Sequence, residues 1–384
     1  MPLPLDNAEL RNFIEEAVRK KTDLLKLAEA LSKSEFAPWR NQILDYIALV
    51  PKYRKKFDTN AFLACDKLAL EQSTAADIGI YKARFFDGAE SVDDLCCGMG
   101  GDSFFLPQTV PVRGVDLSEE RVAMYLFNTK TMGYQREALT ADVRTLKSRS
   151  ALFTIDSARR AKDDDNQRNF SELTPSLSEI IELAKLYKGG MAKLPPGYPQ
   201  ESFPAETEKF YLGAKNDCRE CLLLFGCLAK NPGKTHAVFI DSFGNAHVWT
   251  SSSPTELSCG PLSNFLAEPI PVLIRSHLFP EIAQSLSPDV RLISPGIAYL
   301  TSDKPLHGEG FRNFRILGSA PLSTGKVKKL LRDHRVGKLT IKKRGVEIVP
   351  EAEIKRLSPK GENEGVLFYT RVAGEKTAIL TKPV

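Results

Sequence analysis

Between Leu10 and Leu31 the apolar positions fall at Leu10, Phe13, Ile14, Ala17, Val18, Leu24, Leu25, Ala28 and Leu31, with polar residues between them. That spacing of three and four predicts one amphipathic helix. Trp39, Ile43, Ile47 and Val50 continue the pattern in a second helix. Pro51 is expected to end it, because proline lacks an N–H and its ring clashes with the preceding turn. The basic run "KYRKKF" follows. It reads as a solvated helix end, with phosphate binding the alternative.

From Val92 the period changes. "SVDDL" reads as a strand and a glycine turn follows it; "VRGVDL" is a second strand. "SEERVAMYLFNTKTMG" is a helix capped by Ser118, with acids in its first turn and Gly133 beyond its end. "EALTADV" and "ALFTID" predict further strands. A polar insert (162–169) separates them from a helix, "PSLSEIIELAKLY", and a strand, "GGMAKL". "CLLLFGCL" and "HAVFIDSFG" read as a closing antiparallel pair. Strands alternating with helices imply a doubly wound α/β sheet whose strand-end loops share one rim, where ligands bind. Beyond Pro261 the pattern loosens into a small α+β region. The tail predicts a helix, "GKVKKLLRDHR", a hairpin turning near Arg344-Gly345, and another turning at Gly374.

At 384 residues the chain has room for two to four units. With 42% apolar and 26% charged residues it reads as globular and folded. No run approaches a membrane-spanning length. The N-terminus has neither a basic nor an apolar leader region, so secretion is not expected. Seven cysteines fit a reducing compartment, and the expected location is the cytoplasm. Charge changes the picture more. Ser319 to Val384 carries 15 Lys+Arg against 7 Asp+Glu, whereas the remainder holds 38 against 41. The basic excess lies in the last sixth of the chain, which points to a nucleic-acid-facing tail.

Candidate chemistry centres on "DLCCGMGGDS", Asp94 to Ser103. Glycine between strand and helix lets backbone approach a ligand closely. A dinucleotide site needs G-x-G-x-x-G, but Gly98, Gly100 and Gly101 here precede Asp102, and the third glycine is missing. An acid at Asp102 opposes a pyrophosphate and suits a cationic ligand without phosphate, such as S-adenosylmethionine. Asp94 adds to that charge. Asp116, 22 residues after Asp94, is placed to accept both ribose hydroxyls. Asp142 in "TADV" is placed to meet the adenine amino group. The bland alternative is that Asp116 and Asp142 cap loops.

The segments "LEQSTAADIGIYKARFF", "VDDLCCGMGGDSFFL", "VRGVDLSEERVAMYLFN", "TADV" and "TIDSARRA", with the tail "LRDHRVGKLTIKKRGVEIVPE" and "LFYTRVAGEKTAIL", resemble class I S-adenosylmethionine-dependent methyltransferases that carry a C-terminal THUMP-like domain. The resemblance covers nearly the whole chain. It implies a Rossmann-like α/β methyltransferase sheet with a helical N-terminal domain and small α+β C-terminal domains. The expected boundaries are 1–88 for the helical domain, 89–258 for the methyltransferase, 259–318 for a ferredoxin-like unit and 319–384 for the THUMP-like end. It further implies S-adenosyl-L-methionine as cofactor, held by Asp94, Cys96, Gly98, Gly100, Gly101, Asp102, Asp116, Leu117 and Asp142. Gln72, Ser73 and Lys82 would lie near its methionine carboxylate.

In that family the fourth strand ends in D-P-A-R-R; here it is Asp156-Ser157-Ala158-Arg159-Arg160. Asp156 is the candidate catalytic residue, as hydrogen-bond acceptor or general base. Arg159 and Arg160 are candidates to clamp a phosphate, or else to pair with Asp163 to Asp165. "KLPPGYP" from Lys193 lies on the same rim and is expected to line the acceptor pocket. Cys218, Cys221 and Cys227 mimic metal spacing but sit in an apolar strand, so core packing is expected and no metal. In the tail, Lys342, Lys343 and Arg344 with the preceding basic helix are candidates to track a phosphate backbone. Together these readings imply a methyltransferase acting on structured RNA, tRNA or rRNA, monomeric by default and without a membrane partner. An RNA-binding protein that keeps the cofactor site without transfer, and a methyltransferase for a protein or small molecule, remain open here.

Overall fold

In the computed structural model, which describes residues 3–147, 149–159 and 173–384, the chain divides into two compact units. The first comprises 1–209 with 220–233, and the second 210–219 with 234–384.

The first unit opens with helices α1 (Ala8–Lys20), α2 (Leu24–Ser32), α3 (Arg40–Phe57), α4 (Lys67–Gln72) and α5 (Ala76–Ala83). The single helix expected over Leu10–Leu31 is two. Lys21 turns left-handed at φ 50°, and Asp23 caps the next helix by accepting from the Leu25 and Lys26 amides. The continuing apolar spacing hid that break, and Leu25, counted toward the core, is 81% exposed. Pro51 does not end its helix. It lies on the exposed side of α3, while Tyr53 and Phe57 on the next turn are buried. Burying those two rings offsets the roughly 3 kcal/mol an interior proline costs. The basic run is tied down: Arg54 pairs with Glu15, and Lys56 donates to the Leu70 and Glu71 carbonyls.

Next come β1 (Val92–Leu95), β2 (Val112–Asp116), α6 (Glu119–Thr131), β3 (Glu137–Thr140), β4 (Leu152–Asp156), the short pair β5 (Ala158–Arg159) and β6 (Leu173–Thr174), α7 (Leu177–Ala184) and β7 (Gly189–Leu194). The order is β7-β4-β1-β2-β3, all parallel. β1 is buried along its whole length, as the centre of a two-faced sheet requires. The N-terminal helices share one core with the residues after β1: Leu10, Ile14, Ile43, Tyr53 and Phe57 cluster with Met99 and Phe104. The polar insert (162–169) lies outside the described residues.

The chain then forms β8 (Glu208–Ala214) and β9 (Asp217–Gly226), and passes between the units inside both strands. The expected pairing of "CLLLFGCL" with "HAVFIDSFG" is not made. β9 pairs antiparallel with β7, and β10 (Thr235–Ile240) pairs with β11 (Ala246–Thr250).

The second unit continues with β12 (Phe265–Pro269), α8 (Pro271–Arg275), α9 (Phe279–Leu286), β13 (Arg291–Leu292), β14 (Leu300–Ser302), β15 (Phe311–Pro321), α10 (Thr324–Asp333), β16 (Val336–Lys343), α11 (Pro350–Leu357), β17 (Asn363–Val372) and β18 (Glu375–Pro383). Seven strands form one sheet, β13-β14-β12-β15-β18-β17-β16. Alternate residues serve its two faces. Leu367, Tyr369, Ala378 and Leu380 pack with Val327 and Leu331 of α10, whereas Phe368 and Ile379 pack with Phe314 and Tyr299. The boundary expected at 318/319 falls inside β15, which pairs with β12 on one edge and β18 on the other. The hairpin expected at Arg344-Gly345 is absent. Gly345 turns at φ 74°, but Pro350 then starts α11, and β16 pairs parallel with β17. Parallel strands need such a crossover. The second hairpin turns at Gly374 as expected.

Candidate active site

The turn after β1 runs through three residues in left-handed backbone, Cys96 (φ 58°), Gly98 (φ 54°) and Gly100 (φ 95°). At Gly98 no atom of the described residues lies within 4 Å of where a Cβ would stand, so among those residues that face of the turn is open. Gly101 is needed for the opposite reason: its Cβ would come within 2.9 Å of the Ser73 Cβ. The Gly98 amide donates to Asp116 Oδ2 at 3.0 Å, and the Ser118 amide donates to Oδ1 at 3.0 Å. Asp116 therefore braces the turn from the end of β2 while each oxygen keeps a second lone pair. Leu117 beside it is 64% exposed.

Asp94 is buried on β1 and accepts from Ser103 Oγ at 2.5 Å, which in turn meets the Tyr125 hydroxyl at 2.9 Å. Burial, reinforced by the nearby Asp102 charge, pushes the Asp94 carboxyl up to about 7. Burial likewise raises the thiols of Cys96 and Cys97, which makes both poor nucleophiles.

Asp102 stands differently from its sequence reading. Both its oxygens accept from Lys82 Nζ at 2.8 Å, and Lys82 is buried. Although burial alone would raise it, the Lys82 charge holds the Asp102 carboxyl low. Its charge is thus neutralised locally and does not by itself repel a phosphate. Lys82 also lies 3.2 Å from Glu220 Oε2, and Glu220 Oε1 is 3.6 Å from Lys193 Nζ. Lys193 closes the chain with Asp156 Oδ2 at 2.6 Å. The Thr74 hydroxyl sits among them, donating to Glu220 at 3.1 Å and accepting from Lys82 and Lys193 at 3.4 Å each. Three acids, Asp102, Glu220 and Asp156, face two ammoniums, a formal surplus of one negative charge, with burial pushing the Asp156 carboxyl up. Sequence reasoning missed Glu220 and Thr74. Glu220 lies within "CRECLLLFGC", and the signal was an acid just ahead of the apolar run of a strand, beside Arg219.

Asp156 ends β4 with its side chain 33% exposed, next to Ser157, whose buried hydroxyl has no hydrogen-bond partner among the described residues. Arg159 lies in β5, and Arg160 falls outside the described residues. Gln72 ends α4 and its carbonyl accepts from Lys193 Nζ at 3.3 Å, while the Ser73 hydroxyl donates to the Ala69 carbonyl. Both oxygens of Asp142 accept from the Arg144 guanidinium, and Asp142 caps the turn at 143–145.

In the second unit the basic run is likewise occupied. Lys342 pairs with Glu268 and stands over the rings of Phe314 and Phe368, Lys343 donates to the Ile348 carbonyl, and Arg344 donates to the Ala298 carbonyl and stacks on Tyr299. Along α10, Lys326, Lys328, Lys329 and Arg332 are exposed instead, without an ion pair among the described residues. Among those residues no helix is long and apolar enough to cross a membrane, and no three His, Cys, Asp or Glu side chains group to hold a metal.

A sheet whose order reverses beside β1, with its glycine turn braced by the acid that ends β2, has the class I methyltransferase fold. The chain ends in a THUMP-like domain: residues 311–383 match the family described as THUMP domain-like. Two proteins of Mycobacterium tuberculosis, from strains CDC 1551 / Oshkosh and ATCC 25618 / H37Rv, are described as uncharacterised S-adenosylmethionine-dependent methyltransferases. Each is 25% identical over 323 residues, covering 82% of this chain and 86% of its own. The crystal structure of a candidate methyltransferase from Porphyromonas gingivalis W83 matches over 100% of both chains with a TM-score of 0.77 at 19% identity.

Proposed function

We propose that this protein transfers the methyl group of S-adenosyl-L-methionine to structured RNA, a transfer or ribosomal RNA. The observation that carries the reading is the surplus negative charge of the Lys82–Asp102–Glu220–Lys193–Asp156 chain beside an open glycine turn. A cation is the fitting guest there. The two mycobacterial relatives, described as S-adenosylmethionine-dependent, support the same cofactor. When bound, it supplies an electrophilic methyl on a positively charged sulfur. The Gly98–Gly101 backbone admits it closely, and the outward lone pairs of Asp116 hold its ribose hydroxyls. Leu117 would cover an adenine face, and Gln72 and Ser73 would flank the methionine end. Asp156 orients the acceptor, and transfer depends mainly on in-line positioning. The THUMP-like end and the exposed lysines of α10 support RNA as the substrate.

Calorimetry with S-adenosylmethionine and with NAD, followed by radiolabelled methyl transfer to total cellular RNA, tests this. Binding of the former and label in RNA are expected, with a drop of about 100-fold in Asp156→Ala. Tighter binding of NAD would overturn the cofactor assignment. Ser157, standing where the resembling family has proline, favours the second reading, an RNA binder without transfer. Tight cofactor binding with no label in RNA is its signature.

A further inference from the structure

The surroundings of Lys193 do not suit the substrate-binding role its sequence position implied. Its ammonium faces four oxygens: Asp156 Oδ2 at 2.6 Å, the Gln72 carbonyl at 3.3 Å, Thr74 Oγ1 at 3.4 Å and Glu220 Oε1 at 3.6 Å. An ammonium has three protons to give, so none is left for a phosphate. Its side chain is only 16% exposed, against 33% for Asp156. The remaining members of the chain are 10% exposed or less. A buried chain of ions therefore ends at one accessible carboxylate, with one of its oxygens already held. Oδ1 of Asp156 has no hydrogen-bond partner among the described residues, and neither has the neighbouring Ser157 hydroxyl.

We propose that Lys193 is a positioning residue: by holding Asp156 Oδ2 it turns Oδ1 toward the acceptor, so that the atom methylated is a hydrogen-bearing heteroatom. The proposal rests on the transferase reading above. A carboxylate oxygen only accepts hydrogen bonds, so what it orients must carry an N–H or O–H. The lone pair of that heteroatom forms the bond to the methyl carbon and displaces the sulfur, which keeps the electron pair of the broken carbon–sulfur bond. The heteroatom's proton passes to Oδ1. Methylation at a base carbon by thiolate addition would need an ionised cysteine at the turn, and burial raises both Cys96 and Cys97. Glu220 and Thr74 act one step back by fixing Lys193, and Lys82 does so by fixing Glu220.

The charged groups acting on Asp156 are Lys193 of β7, Asp102 of the turn and Lys82 of α5; Glu220 of β9 reaches it through Lys193, and Asp94 and Cys96 feel its charge in turn. Replacing Lys193 removes the nearest positive charge, so the Asp156 carboxyl should titrate at higher pH. The test compares the full-length wild type with Lys193→Met and Lys193→Arg. Carbon-13 NMR titration of the Asp156 carboxyl, assigned with Asp156→Asn, is read beside the pH profile of methyl transfer to total RNA and cofactor affinity by calorimetry. In Lys193→Met the titration should rise by about one pH unit or more, and the acidic limb of the rate profile should move with it. Cofactor affinity should not fall, because the variant removes a positive charge from the site of a cation; kcat should fall more than KM changes, and Lys193→Arg should restore most of the rate. An unmoved titration, superimposable pH profiles, a loss confined to cofactor affinity, or nucleoside analysis finding the methyl on carbon would each overturn the proposal. A shifted titration together with no transfer by the wild type overturns the RNA reading while supporting the pairing of Lys193 with Asp156.

Discussion

Burial holds the Asp94 carboxyl up near 7, whereas in an unfolded chain it would give up its proton near about 3.9. The folded state therefore binds this proton more tightly than the unfolded one. The stability that results is fully present below about pH 4 and is lost as pH rises through 7. Asp94→Asn should flatten the dependence of the urea midpoint on pH between 4 and 7, and an unchanged slope would put the cause elsewhere. At this scale the sequence was a partial guide. Asp116 and Asp156 could be found because each ends a strand, and Asp94 because it lies one residue before the end of β1; strand ends share a rim. Lys82 and Glu220 could not be joined to Asp102 in the same way. They are brought together only by folding α5 and β9 against the turn, and no spacing along the chain records that. Asp102 is for this reason not the bare charge its position suggested, while the acidic character of the site survives in the surplus of the whole ion chain.

Among the elements, α6 does more than cross from β2 to β3. Asn128 is fully buried; its amide donates to the Ala64 and Met99 carbonyls at 2.9 Å each and accepts from the Ala64 amide at 2.6 Å. One side chain thus fastens the N-terminal helices and the glycine turn to the same helix. Asn128→Ala leaves three backbone groups without partners. It should cost about 3 kcal/mol, read as a lowered urea midpoint at unchanged m-value. A cost under about 1 kcal/mol would mean that water replaces the amide. The ends of α6 were plain in the sequence, from the Ser118 cap to Gly133, because caps are local chemistry. What the sequence read wrongly at this scale was decided by distant partners. Pro51 stays inside α3 because Tyr53 and Phe57 reach the shared core, and β16 finds β17 rather than a hairpin mate because α11 intervenes.

For the molecule as a whole, net charge of +5 says little until the basic residues are sorted by what already holds them. Lys342 and Arg344 are engaged by Glu268, Ala298 and aromatic rings, whereas Lys326, Lys328, Lys329 and Arg332 stand exposed on α10. If RNA docks there, replacing Lys326, Lys329 and Arg332 by glutamine should reduce the salt slope of its affinity by about 0.7 to 0.9 for each phosphate no longer neutralised. Comparable changes at Lys342 and Arg344 should show first as lowered thermal stability. An unaltered slope in the α10 variant would remove that helix from the docking surface.

The place of β15 inside one continuous sheet, between β12 and β18, also decides where this chain can be cut. The family match begins at residue 311, the first residue of β15, and a fragment started there would look complete from sequence. It would lack β12, and with it every backbone partner that Phe311 to Arg315 have on that edge. A bare strand edge bearing Phe311 and Phe314 invites self-association, so that fragment is an aggregation hazard. A cut before β12, near residue 260, keeps the sheet whole.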